Sequence, residues 1–320
     1  MRLMLTPAQL TRFNDQGYIV IEDVLDRVTV LEPLIEEYDE LLAQLYKNWV
    51  AAGLLIDRPD VKDFEGRLLA AYQAGVDYFQ PLDISLPPGD ITNDVPFHAG
   101  PAIFKVMTDS KLLDLIASVI GPEITSNPIQ HVRIKPPMTE LDQDEIRAHI
   151  TSTDWHQDRA VTLEEADATR MVTAWLAITD ATTENGCLQV VPGSHHNGMQ
   201  LHCPTPQLGI PTKFFDSQSA MPLPVKAGGL ILFHPLTIHG SLENRTQNFR
   251  WSFDLRYNTT GDPTGRPMFP EFVARSASDP DSELRSADDW RRLWVDAREK
   301  LAKENPVTIH RWATDAVHCA

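Results

Sequence analysis

Apolar residues recur at helical spacing through the first third of the chain. From Leu31 to Trp49 they return every three or four positions, which predicts an amphipathic helix. We expect further helices at about 64–78 and 110–120, the latter stopped by Gly121-Pro122. With only a short strand at 17–25, residues 1–122 should form a mostly helical N-terminal part.

Local sequence signals mark a helix start and a long loop in this part. Thr6 is a good N-cap residue, with Pro7 at the first helical position and Gln9 where a capping box requires it. Further along, residues 79–101 are rich in Pro, Gly and Asp, which predicts a long surface loop. A loop of this length can act as a lid over a binding site.

Between about 123 and 260 the pattern becomes that of β-strands. Strand-forming segments lie at 129–135, 170–178, 187–191, 230–233 and 249–257. Residues 261–320 are loop-rich and end with a helix at about 287–303. We therefore expect a single domain, 1–320, that is mainly β, with its core at 123–260 and flanking helices.

Polar and apolar positions alternate in three of these strands. In 249–257 the polar set is Arg250, Ser252, Asp254 and Arg256, and the apolar set is Trp251, Phe253, Leu255 and Tyr257. In 129–135, Arg133 and Lys135 lie opposite Val132 and Ile134, and in 170–178 a mixed face lies opposite a purely apolar one. Such strands either pack on helices with one face and line a polar cavity with the other, or leave the polar face in solvent.

Charge narrows the possible partners. With 28 basic and 45 acidic residues the net charge is −17, which disfavours binding to nucleic acid or anionic membranes. No apolar run is long enough to cross a bilayer, and the first residues do not resemble a secretory signal. We expect a small-molecule partner, and the pattern does not reveal the oligomeric state.

The cysteines form no familiar pattern. Cys187, Cys203 and Cys319 are odd in number and far apart, so we expect neither a disulfide framework nor a zinc site. This use of cysteine favours the reducing cytoplasm as the compartment.

A candidate metal site begins at His156-Gln157-Asp158. In extended chain, residues two apart project to the same side, so the imidazole and the carboxylate can meet one cation. His234 and His239 follow far downstream, and two histidines with one carboxylate suit non-haem iron(II). The three-residue pattern alone is weak evidence in a chain with 11 histidines.

A candidate anion site follows the second histidine pair. A turn-rich segment, 240–248, separates His239 from the strand that carries Arg250. If the chain folds back there, Arg250 lies beside the strand that ends at His239. A guanidinium inside a barrel can grip a carboxylate in bidentate fashion.

These motifs resemble the phytanoyl-CoA dioxygenase family of 2-oxoglutarate oxygenases. The resemblance is carried by WHQD at 155–158, by the segment 172–195 with its NGCLQVVPGSH, by the spacing from His239 to Arg250, and by the opening 6–25. It covers roughly residues 6–258 and implies a double-stranded β-helix, or jelly-roll, core.

The resemblance also implies a set of site residues. Iron(II) would be held by His156, Asp158 and His239, and Arg250 would bind the distal carboxylate of 2-oxoglutarate. Lys135, Thr173 and Trp175 match positions that contact this cosubstrate. His195 matches a structural turn, and His234 lies outside the iron motif.

The implied reaction uses Fe(II), 2-oxoglutarate and O₂ to hydroxylate an unactivated C–H bond, releasing succinate and CO₂. Halogenating relatives carry a small residue at the position of Asp158, so the carboxylate favours oxygenation. Desaturation, cyclisation and epimerisation remain alternatives. So do a non-catalytic jelly-roll protein that keeps a metal and a metalloenzyme without a cosubstrate.

We expect the substrate to be a free small or medium-sized metabolite and not a CoA thioester. The chain has no run of Lys and Arg and no glycine-rich loop to cradle several phosphates. Phe79 and Phe97 of the 79–101 loop would then close over the ligand. The candidate polar contacts near the metal are His131, Arg133, Gln157 and Arg159.

Overall fold

The helices form where the sequence is most strongly periodic. The computed structural model describes residues 3–137, 153–204, 208–304, 309, 311–312 and 319. Its helices are α1 (Pro7–Gln16), α2 (Glu32–Ala51), α3 (Phe64–Gln73), α4 (Phe79–Leu82), α5 (Pro101–Met107), α6 (Ser110–Ile120) and α7 (Ala287–Glu304). The capping box predicted at Thr6 and Gln9 is confirmed, because both of its hydrogen bonds are present.

Ten strands are found in the described part of the chain. They are β1 (Tyr18–Ile21), β2 (Ile124–Ser126), β3 (His131–Lys135), β4 (Met171–Ala177), β5 (Leu188–Val190), β6 (Met221–Leu223), β7 (Leu230–Phe233), β8 (His239–Ser241), β9 (Arg250–Thr259) and β10 (Phe272–Arg275). The larger sheet has the order β1-β7-β4-β9-β2-β10, with β3 also paired to β9, and the smaller has the order β6-β5-β8. The neighbouring strands are antiparallel.

Apolar side chains fill the space between the two sheets. Trp175 and Phe233 of the larger sheet belong to one buried cluster with Leu188, Val190 and Leu223 of the smaller one. Two antiparallel sheets packed face to face in this way form a jelly roll. The predicted fold, mainly β with flanking helices around a double-stranded β-helix, is therefore confirmed.

The other face of the larger sheet packs against helices. Tyr38 of α2 contacts Trp251 and Phe253 of β9, with ring centroids 5.2 Å and 5.7 Å apart. On the opposite face of β9, Arg250 and Arg256 are 2% and 3% exposed. The alternative of a solvated polar face is therefore wrong, and the polar set of β9 points into the interior.

The segment 79–101 is only in part the surface loop that the sequence predicts. It begins with α4, and residues 82–86 are buried. Phe97 packs against Trp294 of α7 at a centroid distance of 6.2 Å and lies under the guanidinium of Arg298. Phe97 is thus held by the C-terminal helix, and the lid role of the segment stays a prediction.

The expectation for the cysteines is also corrected. Cys203 and Cys319 form a disulfide across 116 residues, and Cys187 is free and buried. Sequence spacing did not indicate this pair because the fold alone brings the two residues together. The cysteine argument for a reducing compartment therefore loses its basis.

None of the described helices is both long and apolar enough to cross a membrane.

The disulfide predicts a thiol count. Protein unfolded in guanidinium without reductant should titrate one thiol, from Cys187, whereas reduced protein should titrate all three cysteines. Ellman's reagent measures both values. Three reactive thiols in carefully isolated, unreduced protein would contradict the pairing.

The packing of β9 predicts a large stability effect at Phe253, which has no exposed surface. Phe253→Ala should lower the free energy of unfolding by about 3–5 kcal/mol, because the cavity under α2 cannot collapse. Ile56→Ala, at a residue that is 85% exposed, is the control and should change it by less than about 0.5 kcal/mol. Urea unfolding measures the free energy of unfolding of both variants. Equal losses in Phe253→Ala and Ile56→Ala would contradict the described packing.

Candidate metal centre and adjoining cavity

Two histidines face each other across a short backbone bridge. The N–H of His156 donates to the carbonyl of His239 at 2.8 Å, and the reverse hydrogen bond is 3.0 Å. Asp158 follows two residues later, at the start of a 3-10 turn, Asp158–Val161. One potential ligand atom from each of the three residues lies within 4.8 Å of the others. The structure therefore brings the predicted triad together.

Backbone carbonyls fix the tautomer of both imidazoles. Nδ1 of His156 lies 2.8 Å from the carbonyl oxygen of Asp154, and Nδ1 of His239 lies 3.0 Å from that of Thr237. A carbonyl only accepts, so each Nδ1 carries the proton and each Nε2 keeps its lone pair. Both Nε2 atoms lie 3.9 Å from Oδ1 of Asp158. This is the donor set of a metal centre.

Asp158 is held as a carboxylate although it is only 1% exposed. Arg256 donates to its Oδ1, and the hydroxyl of Thr173 donates to its Oδ2. Burial raises the pKa of Asp158, but Arg256 and the two histidines outweigh burial and hold it below its usual range. Thr173, predicted to contact the cosubstrate, thus lies against a candidate metal ligand.

A pair of buried cations lies on the same interior surface. Lys135 and Arg250 are register partners on β3 and β9, and they are 4% and 2% exposed. Nζ of Lys135 donates to Oγ of Ser241 at 2.7 Å, two residues beyond His239. Arg250 donates to Ser252 at 2.6 Å and lies 5.3 Å above the ring of Trp175.

This cation pair has no counter-ion among the described residues. Arg250 and Lys135 form no salt bridge there, and Nε of Arg250 is buried without a hydrogen-bond partner. Burial lowers the pKa of Arg250 to about 10 and that of Lys135 well below its usual value, and Arg250 lowers the latter further. Uncompensated buried charge is costly. A carboxylate of a bound ligand would offset that cost.

The route by which Arg250 reaches the site differs from the expected one. His239 begins β8 of the smaller sheet, and β8 pairs with β5 and not with β9. The expectation that Arg250 lies beside a strand ending at His239 is wrong. Lys135 links the two sheets instead, because it neighbours Arg250 on one and bonds Ser241 on the other.

A cavity of about 580 Å³ opens beside His156. Its polar lining includes His131, Arg133, Arg256 and Arg266, and its apolar lining includes Phe79, Leu86, Ile129, Val161, Pro204 and Leu208. Nδ1 of His131 lies 2.8 Å from Asp83, and Nε of Arg133 donates to Asp254 at 2.9 Å. Two of the four predicted substrate residues, His131 and Arg133, therefore line the cavity.

The other two predicted substrate residues point elsewhere. Gln157 is fully buried, and its amide donates to the carbonyls of Gly198 and Leu236. Neighbouring residues of extended chain project to opposite sides, so Gln157 faces away from the two ligands that flank it. Arg159 donates to the carbonyl of Thr169 at 2.6 Å. Both residues stabilise loops and do not contact the cavity.

Three residues that matter here were not proposed as substrate or metal contacts. Arg256 shares the polar face of β9, so the alternation could have indicated it. Asp83 and Arg266 lie in segments without periodicity, and no local signal marks them. Burial raises the pKa of Asp83 to about 8, although the N–H of Val132 donates to it at 3.0 Å.

A jelly roll with an interior His-Asp-His cluster beside a buried cation pair is the architecture of non-haem iron oxygenases that use an oxo-acid. The chain belongs to the phytanoyl-CoA dioxygenase (PhyH) family, whose sequence model matches residues 13–252. It is therefore a non-haem iron, 2-oxoglutarate-dependent oxygenase, with Fe(II), 2-oxoglutarate and O₂ as its cofactor and cosubstrates.

Similar proteins support this assignment. Phytanoyl-CoA dioxygenase domain-containing protein 1 of Bos taurus is 26% identical over 276 residues, which is 78% of this chain and 88% of that protein. Phytanoyl-CoA dioxygenase of Arabidopsis thaliana is also 26% identical, over 270 residues, with the same coverage. Among solved structures, the non-haem monooxygenase ThoJ covers 92% of this chain and 98% of its own, with a TM-score of 0.57 and 20% identity. That likeness supports the fold.

The triad predicts one metal site. Anoxic titration of the apoprotein with Fe(II) should give one equivalent bound, and Asp158→Ala should weaken binding by more than the roughly 10–100-fold that loss of an outer hydrogen bond costs. His196→Ala, at an exposed histidine outside the triad, is the matched control and should bind iron normally. Equal affinity in wild type and Asp158→Ala would contradict the assignment.

Proposed function

We propose that this oxygenase hydroxylates an unactivated C–H bond of a free, small or medium-sized metabolite. His156, Asp158 and His239 hold the iron, and Arg250 binds the distal carboxylate of 2-oxoglutarate. The observation that carries the proposal is the buried pair of Arg250 and Lys135, which has no counter-ion among the described residues.

When bound, iron, 2-oxoglutarate and O₂ would supply an oxidative decarboxylation, which releases succinate and CO₂ and allows hydrogen to be removed from an unactivated C–H bond. The residues prepare that chemistry. Carbonyls of Asp154 and Thr237 orient the imidazoles, and Arg256 keeps Asp158 ionised. Two histidines and one carboxylate would hold the iron and leave room for the cosubstrates.

Arg250 and Lys135 orient the cosubstrate. A carboxylate beside them would gain charge-assisted hydrogen bonds in a site that excludes water. Trp175 lies under the guanidinium, and the ring of Phe233 stacks on His239 at 4.8 Å. These apolar rings keep water away from both the anchor and the metal ligand. The carboxylate of Asp158 favours oxygenation over halogenation.

The cavity supports a compact substrate. Its volume of about 580 Å³ is in the ordinary range of small-molecule sites. Arg133 and Arg256 are already paired with Asp254 and Asp158. The CoA thioester that the relatives' names indicate would bring several phosphate charges, and few cations remain for them. Succinate release and ¹⁸O incorporation from ¹⁸O₂ across a panel of metabolites would identify the substrate and test hydroxylation.

The anchor is tested with two oxo-acids that share their metal-binding end. 2-Oxopentanoate lacks only the distal carboxylate of 2-oxoglutarate. Wild type loaded with Fe(II) under anoxia should prefer 2-oxoglutarate by about 30-fold or more in calorimetry, since a buried charge pair is worth about 2–5 kcal/mol on truncation. Arg250→Met should remove this preference and leave the affinity for 2-oxopentanoate unchanged.

The control is Arg245→Met, because Arg245 is 76% exposed and paired with Glu243. It should keep the wild-type preference. If Arg250→Met also kept it, another cation would be the anchor, and Lys135→Met would show whether that cation is Lys135.

A further inference from the structure

Arg266 is a buried cation that the reaction described above does not use. It lies C-terminal to residues 13–252, which match the family model. Its side chain is 5% exposed and lines the cavity beside His156. Its Nε and Nη2 both donate to one backbone carbonyl, that of Val161, at 3.2 Å and 2.7 Å. Within the described ranges no carboxylate forms a salt bridge with it.

The backbone around Arg266 is fixed by close packing. A Cβ on Gly265, at φ +75°, would lie 2.5 Å from Cβ of Thr162, so only glycine fits there. The N–H of Leu163 donates to the carbonyl of Gly265 at 3.0 Å, and the amide of Asn127 donates to that of Thr264 at 3.0 Å. The guanidinium is therefore held in place at the cavity wall before any ligand binds.

Arg266 differs from the other arginines of the cavity in its charge balance. Arg133 is neutralised by Asp254, and Arg256 by Asp158. Burial, and then Arg256, lower the pKa of Arg266 to about 9, and no described carboxylate forms a salt bridge with it. The wall of the cavity is otherwise largely apolar, with Phe79 among its residues. Asp77 and Asp83 also line the cavity, but neither forms a salt bridge with Arg266. Among the described lining residues, Arg266 is thus the arginine without a carboxylate partner, next to a largely apolar surface.

We propose that Arg266 binds an anionic oxygen group of the substrate, a carboxylate or a phosphonate, so that the substrate has an apolar body and one anionic end. The proposal rests on the proposed function and adds the class of substrate. Neither Arg250 nor Lys135 is among the described residues that line this cavity. The substrate anion and the cosubstrate carboxylate therefore have separate cations.

The test uses matched acids and alcohols. Protein loaded with Fe(II) and 2-oxoglutarate under anoxia is titrated calorimetrically with butanoate, hexanoate and octanoate, and with the alcohol of each length. Octylphosphonate is titrated in the same way to test a phosphonate in place of the carboxylate. At least one acid should bind wild type more tightly than its alcohol. Arg266→Met should lower the affinity for that acid by about 30-fold or more and leave the affinity for the alcohol unchanged.

Two variants and two controls separate binding from structure. Arg266→Lys should keep part of the preference for the acid, and Arg245→Met should keep all of it. The 2-oxoglutarate affinity of Arg266→Met should match wild type, and thermal unfolding should show a cooperative transition that confirms a folded variant. If that variant loses both acid and alcohol binding equally, or loses iron, Arg266 only supports the turn that carries Asp158, and the proposal is overturned.

The outcomes also separate this proposal from the proposed function. Normal 2-oxoglutarate binding with no preference for any acid over its alcohol in wild type would overturn the role of Arg266 alone. Failure of wild type to bind 2-oxoglutarate would overturn both.

Discussion

Strand β9 places charged side chains in the interior of the jelly roll, and the rest of the site depends on how those charges are balanced. Asp254 meets Arg133 of β3, and Arg256 meets Asp158. Among the described residues, Arg250 forms no salt bridge, and it contacts Ser252 and the ring of Trp175. Because a buried charge without a partner destabilises a fold, the last case indicates a place kept for a ligand.

The same strand also builds the core. Its alternate residues pack beneath α2, where Tyr38 contacts two aromatic rings of β9. Fold and site are therefore coupled through one backbone: packing on the helical side fixes the register with β3 and β4, and that register sets which polar groups meet inside. Lys135 lies opposite Arg250, and Thr173 opposite Arg256, for this reason.

Sequence reasoning succeeded where burial is periodic over several turns or residues, as in α2, α6 and β9. It missed β2, β6 and β8, which have three residues each, and β10, which has four, because so short a segment shows no clear period. The spacing of His156 and Asp158 indicated a candidate metal site, and the family resemblance supplied His239 as the third ligand. Sequence reasoning misplaced Gln157, although the alternation that brings its neighbours together also turns it away.

Asp83, Arg266 and the Cys203–Cys319 disulfide depend on contacts between distant segments. Asp83 meets His131 across 48 residues, and Arg266 meets Val161 across 105. The position of each is decided by packing that no local pattern encodes. Asp83 and Arg266 line the cavity, so this part of its wall could not be predicted from local sequence patterns.

The central claim is that the charge of Arg250 is balanced by the distal carboxylate of 2-oxoglutarate. A crystal structure grown under anoxia with Fe(II) and 2-oxoglutarate tests it most directly. The account predicts iron on His156, Asp158 and His239, with the distal carboxylate hydrogen-bonded to Arg250. Iron bound by other residues, or a distal carboxylate held away from Arg250, would contradict it.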